Sequence, residues 1–281
     1  MRRRPTPPAT ECCYLGILPR EHIPHASSRG RNEFLFPAVY GLAGIFLSGG
    51  VCVLRTAVVI DYQNVHLTAH DVFDPRGDRH ESLIHPMQFS RRAIVERNAR
   101  QRVGFAAAEL SCVRVFRGLP HVDHDWEQNR RCLEQQRQWT EDGALVELRD
   151  LKYRYRTGAG GRPVMDVHGR KEPDGRGQEK GIDVLCALAA IHESERPDID
   201  LVILASRDTD LVPVLDELHD RRSREPERYS RVETVAWFNP RYEEERTKSG
   251  GSLRPTGGRR IWNTNLGRDA YEASIDRNDY R

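Results

Sequence analysis

The sequence predicts an α/β fold with a central, mainly parallel sheet. Short apolar strands alternate with helical segments, no internal repeat interrupts the alternation, and acidic residues follow directly on two of the strands. Strands separated by helices pair in parallel through right-handed crossovers, with helices covering both faces of the sheet. Such a sheet binds ligands at the carboxyl ends of its strands.

Residues 1–54 stand apart from this pattern. Residues 1–33 mix Arg, Pro, His, Ser and Gly without a period and read as disordered. Phe34–Leu54 contains no charge and, at about 1.5 Å per residue, is long enough to cross a bilayer. Pro37, Gly41, Gly44, Gly49 and Gly50 weaken a membrane helix, and only Arg55 separates the run from the first strand. Its distance from the start argues against a signal peptide. We read residues 1–54 as a disordered or apolar extension, an over-extended gene start ahead of a functional chain beginning near Val51–Leu54. The rival reading is a transmembrane helix; no membrane partner is expected.

The elements follow in order. Thr56–Ile60 is a continuous apolar run, the mark of a strand buried on both faces. Met87–Arg102 reads as a helix with Phe89, Ala93, Ile94 and Val103 on its apolar side. Leu110–Phe116 is a second strand. Asp125–Asp142 is a helix, opened by Asp125 with Gln128 at capping-box spacing. Ala144–Leu148 is a third strand, and Glu179–Glu193 a helix placing Ile182, Leu185, Cys186, Ala189 and Ala190 on one face. Leu201–Ala205 is a fourth strand, Asp210–Asp220 a helix, and Val232–Phe238 a fifth strand. Residues 55–240 form the domain, with 241–281 a basic C-terminal tail packing on it.

Composition removes several function classes. A net charge of +2 sets up no strong global field toward nucleic acid or membrane. The six cysteines form no C-x-x-C pair and no zinc spacing, which excludes a disulfide scaffold and a structural zinc module and points to a reducing, cytoplasmic setting. Cys112 and Cys186 read as small core residues. No G-x-G-x-x-G follows the first strand and no P-loop is present, so no nucleotide cofactor is expected.

The acidic residues carry the chemistry. Strand one runs into Asp61-Tyr62-Gln63-Asn64, strand four into Ser206-Arg207-Asp208-Thr209-Asp210, and Asp183 lies in the first turn of the helix before strand four. In a doubly wound sheet Asp61, Asp183, Asp208 and Asp210 meet at one edge. Two carboxylates about 4 Å apart repel by about 4 kcal/mol at an effective dielectric near 20, so a cluster needs protons or a cation. All-oxygen ligands favour Mg²⁺ or Mn²⁺ over zinc, and such a centre suits displacement at phosphorus. Each acid also has a plain role: Asp210 as a helix N-cap ahead of Pro213, Asp183 as a complement to a helix dipole. Asp61, closing a buried strand, is the hardest to explain that way.

Three blocks resemble the NYN domain, a branch of the PIN-like nuclease superfamily, in its bacterial LabA-like form: Val59-Ile60-Asp61-Tyr62-Gln63-Asn64-Val65, Glu179-Lys180-Gly181-Ile182-Asp183-Val184, and Leu204–Pro213. The stretch Leu253–Asn265 is similar to the tail of bacterial members. The resemblance implies a Rossmann-like three-layer α/β/α sandwich (PIN-like) and Mg²⁺- or Mn²⁺-dependent cleavage of RNA, with Asp61, Asp183, Asp208 and Asp210 as the metal-binding, catalytic acids. It makes Asn64 and Ser206 polar supports, and it sets Arg207, where many members have a small residue, either against a phosphate or in the way of the site. The family also contains members without demonstrated activity.

RNA would be held by the long connection after strand three. Lys152-Tyr153-Arg154-Tyr155-Arg156 interleaves basic and aromatic residues and reads as a β-hairpin or flap, with bases stacking on Tyr153 or Tyr155 and Arg154 and Arg156 meeting phosphates. The plain alternative is a solvated hairpin. Arg254, Arg259 and Arg260 form a second basic patch beside Trp262, which is expected to pack. His121-Val-Asp-His124-Asp125 resembles a metal motif, but Asp125 already has a capping role; His121 is expected to face the cleft. The expected function is a metal-dependent endoribonuclease acting on single-stranded RNA. The alternatives are a non-catalytic RNA-binding or regulatory module, and a phosphohydrolase of small nucleotides or DNA; a homo-oligomer is compatible with each.

Overall fold

The computed structural model describes residues 53–79, 81–102, 104–240 and 252–280. The readings on residues 1–52, which include Cys12, Cys13, Cys52 and most of the apolar run, and on Val103 lie outside them. The first strand, β1 (Leu54–Asp61), runs without a break into helix α1 (Tyr62–Phe73). Helix α2 (Pro86–Ala99), strand β2 (Ala108–Leu119), helix α3 (Trp126–Glu141) and strand β3 (Leu145–Asp150) follow. The second half consists of α4 (Ile182–Ser194), β4 (Leu201–Ala205), α5 (Val212–Arg224), β5 (Arg231–Trp237), β6 (Asn263–Leu266) and α6 (Arg268–Glu272).

Among the described residues, six strands, all parallel, join in one sheet in the order β3-β2-β1-β4-β5-β6. Burial explains why β1 and β4 are almost wholly apolar. Val58, Ile60 and Ile203 face one core with α1, α2, α3 and α6, while Ala57, Val59, Val202 and Leu204 face a second core with α4 and α5. The fold is thus a Rossmann-like three-layer α/β/α sandwich. The chain builds outward from β1 to β3, then returns to set β4 beside β1. That reversal opens a crevice at the carboxyl ends of β1 and β4, where Ile60 pairs with Ala205.

Several boundaries differ from the sequence reading for local reasons. The Asp125 carboxylate accepts from the Gln128 N–H (3.1 Å), the cap its spacing predicts. Helix α4 begins at Ile182 rather than Glu179, because Gly181 adopts φ +78° and breaks the helical run. The helix expected from Asp210 starts at Val212, after a 3₁₀ turn over Thr209–Leu211, and the capping residue is Asp208, which accepts from the Asp210 N–H at 2.9 Å. The N-cap role read for Asp210 therefore belongs to Asp208.

The sheet does not stop at residue 240. Beyond it, β6 pairs with Thr234–Trp237 of β5, so the expected tail supplies a strand. The last residues dock through Asp276, which accepts from Trp139 Nε1 (2.8 Å) and from the Tyr280 hydroxyl (2.7 Å). Across the first core, Arg97 of α2 and Glu233 of β5 form a buried two-point ion pair at 2.8 and 2.9 Å. Among the described residues, no helix is long and apolar enough to cross a membrane.

Candidate active site

The site grows from the junction of β1 and α1. Asp61 closes the strand and caps the helix: one carboxylate oxygen accepts from the Asn64 N–H (3.2 Å), the other from the Ser206 hydroxyl across the crevice (3.0 Å). Ser206 in turn accepts from the Asp208 N–H (3.1 Å), and the Asn64 side-chain oxygen accepts from the Arg207 N–H (2.8 Å). Asn64 and Ser206 thus tie the end of β1 to the loop after β4.

Asp61 is 6% exposed. Burial lifts its pKa from the ordinary 3.8 to about 6, against the pull of the Asn64 and Ser206 donors, and the charges of Asp208 and Asp183 push the same way. No arginine, lysine or histidine forms a salt bridge with Asp61, Asp183, Asp208 or Asp210 among the described residues. A buried carboxylate facing two further acids without a cationic partner is costly by itself.

One important acid was missed. Glu179, just ahead of α4, accepts from the Gly118 N–H at the end of β2 (2.6 Å). The Gln63 amide, with its nitrogen turned toward this carboxylate, stands 2.8 Å from both oxygens. Burial raises Glu179 to about 7, the Gly118 N–H opposes this, Asp61 adds to it and Arg117 counters. Cys186, buried in the first turns of α4, reports the convergence: burial first, then Asp61, Asp183, Glu179 and Asp208, all push its thiol up. Four acids from three chain segments therefore lie within electrostatic reach of Cys186. Sequence reading quoted Glu179 but gave it no role, because its importance lies in the contact with β2.

Asp183 sits in the first turn of α4, half-buried; Asp210 is exposed, its N–H held by Asp208. The structure thus brings Asp183, Asp208 and Glu179 within electrostatic reach of Asp61 and leaves Asp210 exposed. Among the described residues, no three His, Cys, Asp or Glu side chains stand together as a ready-made metal site. The donor chemistry nevertheless fits a hard divalent cation, since every side chain involved offers carboxylate oxygen and the buried one lacks a counter-charge.

The connection after β3 forms the expected flap, an irregular antiparallel ribbon with bridges Lys152–Gln178, Tyr155–Pro173, Thr157–Pro163 and Met165–Lys171. Its tyrosines hold the ribbon down on the loop before α3. The Tyr153 hydroxyl accepts from the His121 N–H (3.1 Å), and Tyr153 packs on His124 with ring centres 4.5 Å apart. The Tyr155 hydroxyl meets His124 Nε2 at 3.2 Å, and Lys171 lies over the Tyr155 ring. Arg156 pairs with Glu172 (2.7 Å), and Arg154 is exposed. His121 is exposed and bonds the Asp123 N–H (3.2 Å). Arg259 is tied to Asp220 of α5 through Nε (2.7 Å), whereas Arg260 and Arg254 are exposed. Trp262, expected to pack, is 41% exposed.

No family model and no curated protein matches the chain. Among solved structures it is similar to a protein of unknown function from Vibrio parahaemolyticus, at 21% identity over 65% of this chain and 80% of that one, with a TM-score of 0.34. The likeness to NYN domains rests on the residues quoted above.

Proposed function

We propose that the protein is a metal-dependent endoribonuclease that hydrolyses phosphodiester bonds of single-stranded RNA. The observation that carries this reading is the buried Asp61 at the switch point of a parallel sheet, bonded by Ser206 across from β4, within electrostatic reach of Asp183, Asp208 and Glu179, and without a basic partner among the described residues. Asp61, Asp183 and Asp208 would hold Mg²⁺ or Mn²⁺. When bound, the ion supplies charge neutralisation at phosphorus and a water of lowered pKa. Asp61 is oriented for this role by Ser206 and the Asn64 N–H. Glu179, lifted to about 7, is able to hold or release a proton near neutrality. Water attacks phosphorus, the bond to the 3′ oxygen breaks, and the products carry a 5′-phosphate and a 3′-hydroxyl.

The flap and the exposed Arg154 and Arg260 offer charge to the RNA backbone. Arg207 borders the crevice on the Asn64 side. The reading places the protein in the cytoplasm, where the free thiols of Cys112, Cys132 and Cys186 remain reduced. A second reading, an RNA-binding module without catalysis, is favoured by the lack of a ready three-ligand group among the described residues.

Incubating the purified chain with end-labelled single-stranded RNA, with and without Mn²⁺, tests both. Under the nuclease reading Mn²⁺ brings cleavage, and Asp61→Asn and Asp208→Asn each abolish it while far-UV circular dichroism stays unchanged. RNA retention without turnover in any divalent ion leaves the binding module; cleavage undiminished in both variants rejects the site.

A further inference from the structure

We propose that the open edge of β3 is a self-association surface, on which a second copy of this chain adds its own β3 antiparallel about a two-fold axis through Leu148. Among the described residues, strand β3 ends the sheet order, with β2 on its inner side alone. The Leu151 N–H donates to the Leu119 carbonyl (2.9 Å). By the alternation of a parallel ladder, Leu145, Glu147 and Arg149 therefore direct their backbone groups to β2, while Val146, Leu148 and Asp150 direct theirs outward. The Val146 carbonyl accepts from the Gln136 amide of α3 (3.2 Å), so that side of α3 looks over the edge. One turn earlier on the same side Leu133 is 44% exposed, and Leu145 at the start of β3 is 53% exposed. With a lone pair of the Val146 carbonyl taken by Gln136 and its second still free, the outward backbone row flanked by exposed leucines is an edge that another strand completes.

Charge selects which strand that is. Antiparallel partners must match outward-facing residues with outward-facing ones. A two-fold axis at Leu148 does this and sets Glu147 directly opposite Arg149 of the second copy, twice by symmetry. The neighbouring registers centre the axis on Glu147 or Arg149 and place like charges opposite each other. Among the described residues neither side chain makes a salt bridge within its own chain, although Arg137 on nearby α3 pairs with both Glu134 and Glu141. Charges on an edge strand ordinarily repel further strands; here their alternation is complementary to itself. The pairing also brings Leu151, at the root of the flap, against Leu145 of the second copy. This inference does not depend on the nuclease reading.

Sedimentation velocity of the full chain at tens of micromolar tests it, using the parent, Glu147→Arg, Arg149→Glu and the double swap. The parent is expected to sediment as a dimer. Each single swap sets like charges opposite and raises the dimer Kd about tenfold or more, and the double swap restores association. Leu148→Pro, which removes an outward N–H and leaves the inner ladder intact, is expected to yield a folded monomer. A monomeric parent over this concentration range, a dimer indifferent to the single swaps, or a double swap that stays monomeric overturns the proposal.

Discussion

Replacing Asp61 by Asn removes the charge and keeps both the shape and the capping ability, since Asn caps helices as well as Asp does. The parent pays for burying this carboxylate, because its pKa moves from 3.8 to about 6 on folding. Between these values the folded state binds more protons than the unfolded chain, so stability falls as pH rises through the window and the loss is complete above pH 6. Roughly two pKa units correspond to about 3 kcal/mol at pH 8 and about half that at pH 5. Asp61→Asn is therefore expected to be more stable than the parent by about 3 kcal/mol at pH 8, with the advantage shrinking toward pH 5. Urea denaturation in EDTA at the two pH values, followed by far-UV circular dichroism, measures the difference. Adding Mn²⁺ at pH 8 should then stabilise the parent and leave the variant unmoved. A variant no more stable than the parent at pH 8, or an advantage independent of pH, refutes the picture of a buried carboxylate without a cationic partner.

Other expectations follow from individual contacts. Glu179→Ala leaves the Gly118 N–H without its acceptor and should cost about 1–3 kcal/mol in denaturant titration, whereas Glu179→Gln keeps an acceptor and should cost much less. Arg97→Met strands the Glu233 carboxylate, 6% exposed, and should destabilise by about 3–5 kcal/mol; a matched Glu233→Gln change in the same background should recover part of the loss. Gly181→Ala forces an L-residue to φ +78° at the start of α4 and should cost about 1–2 kcal/mol, lowering Mn²⁺-dependent cleavage by displacing Asp183, as a kinetic assay beside a thermal melt would show.

Much of the framework was legible before any coordinates. Leu201–Ala205 was read at its observed limits because five consecutive buried apolar residues carry an unambiguous signal. Helix α1 was overlooked although Tyr62, Val65, Ala69 and Val72 recur at helical spacing, since polar residues between them resemble a loop entering a site. Strand β6 was hidden for the opposite reason: Asn-Thr-Asn-Leu has little apolar content, and only its place beside β5 makes it a strand. Tyr153 and Tyr155 were read as free stacking surfaces, yet His121 and His124, some thirty residues earlier, engage them.

The sequence by itself determined strands β1 to β5 and helices α2 to α5, and that Asp61 and Asp208 lie at or just beyond strand ends, because periodicity and chain adjacency are local properties. Tertiary structure decided that β4 returns beside β1, that Ser206 reaches Asp61, and that Glu179 joins the site by accepting from Gly118. Those relations depend on crossovers linking residues far apart in the chain, and the cost of burying a charge exists only once the fold has excluded water around it.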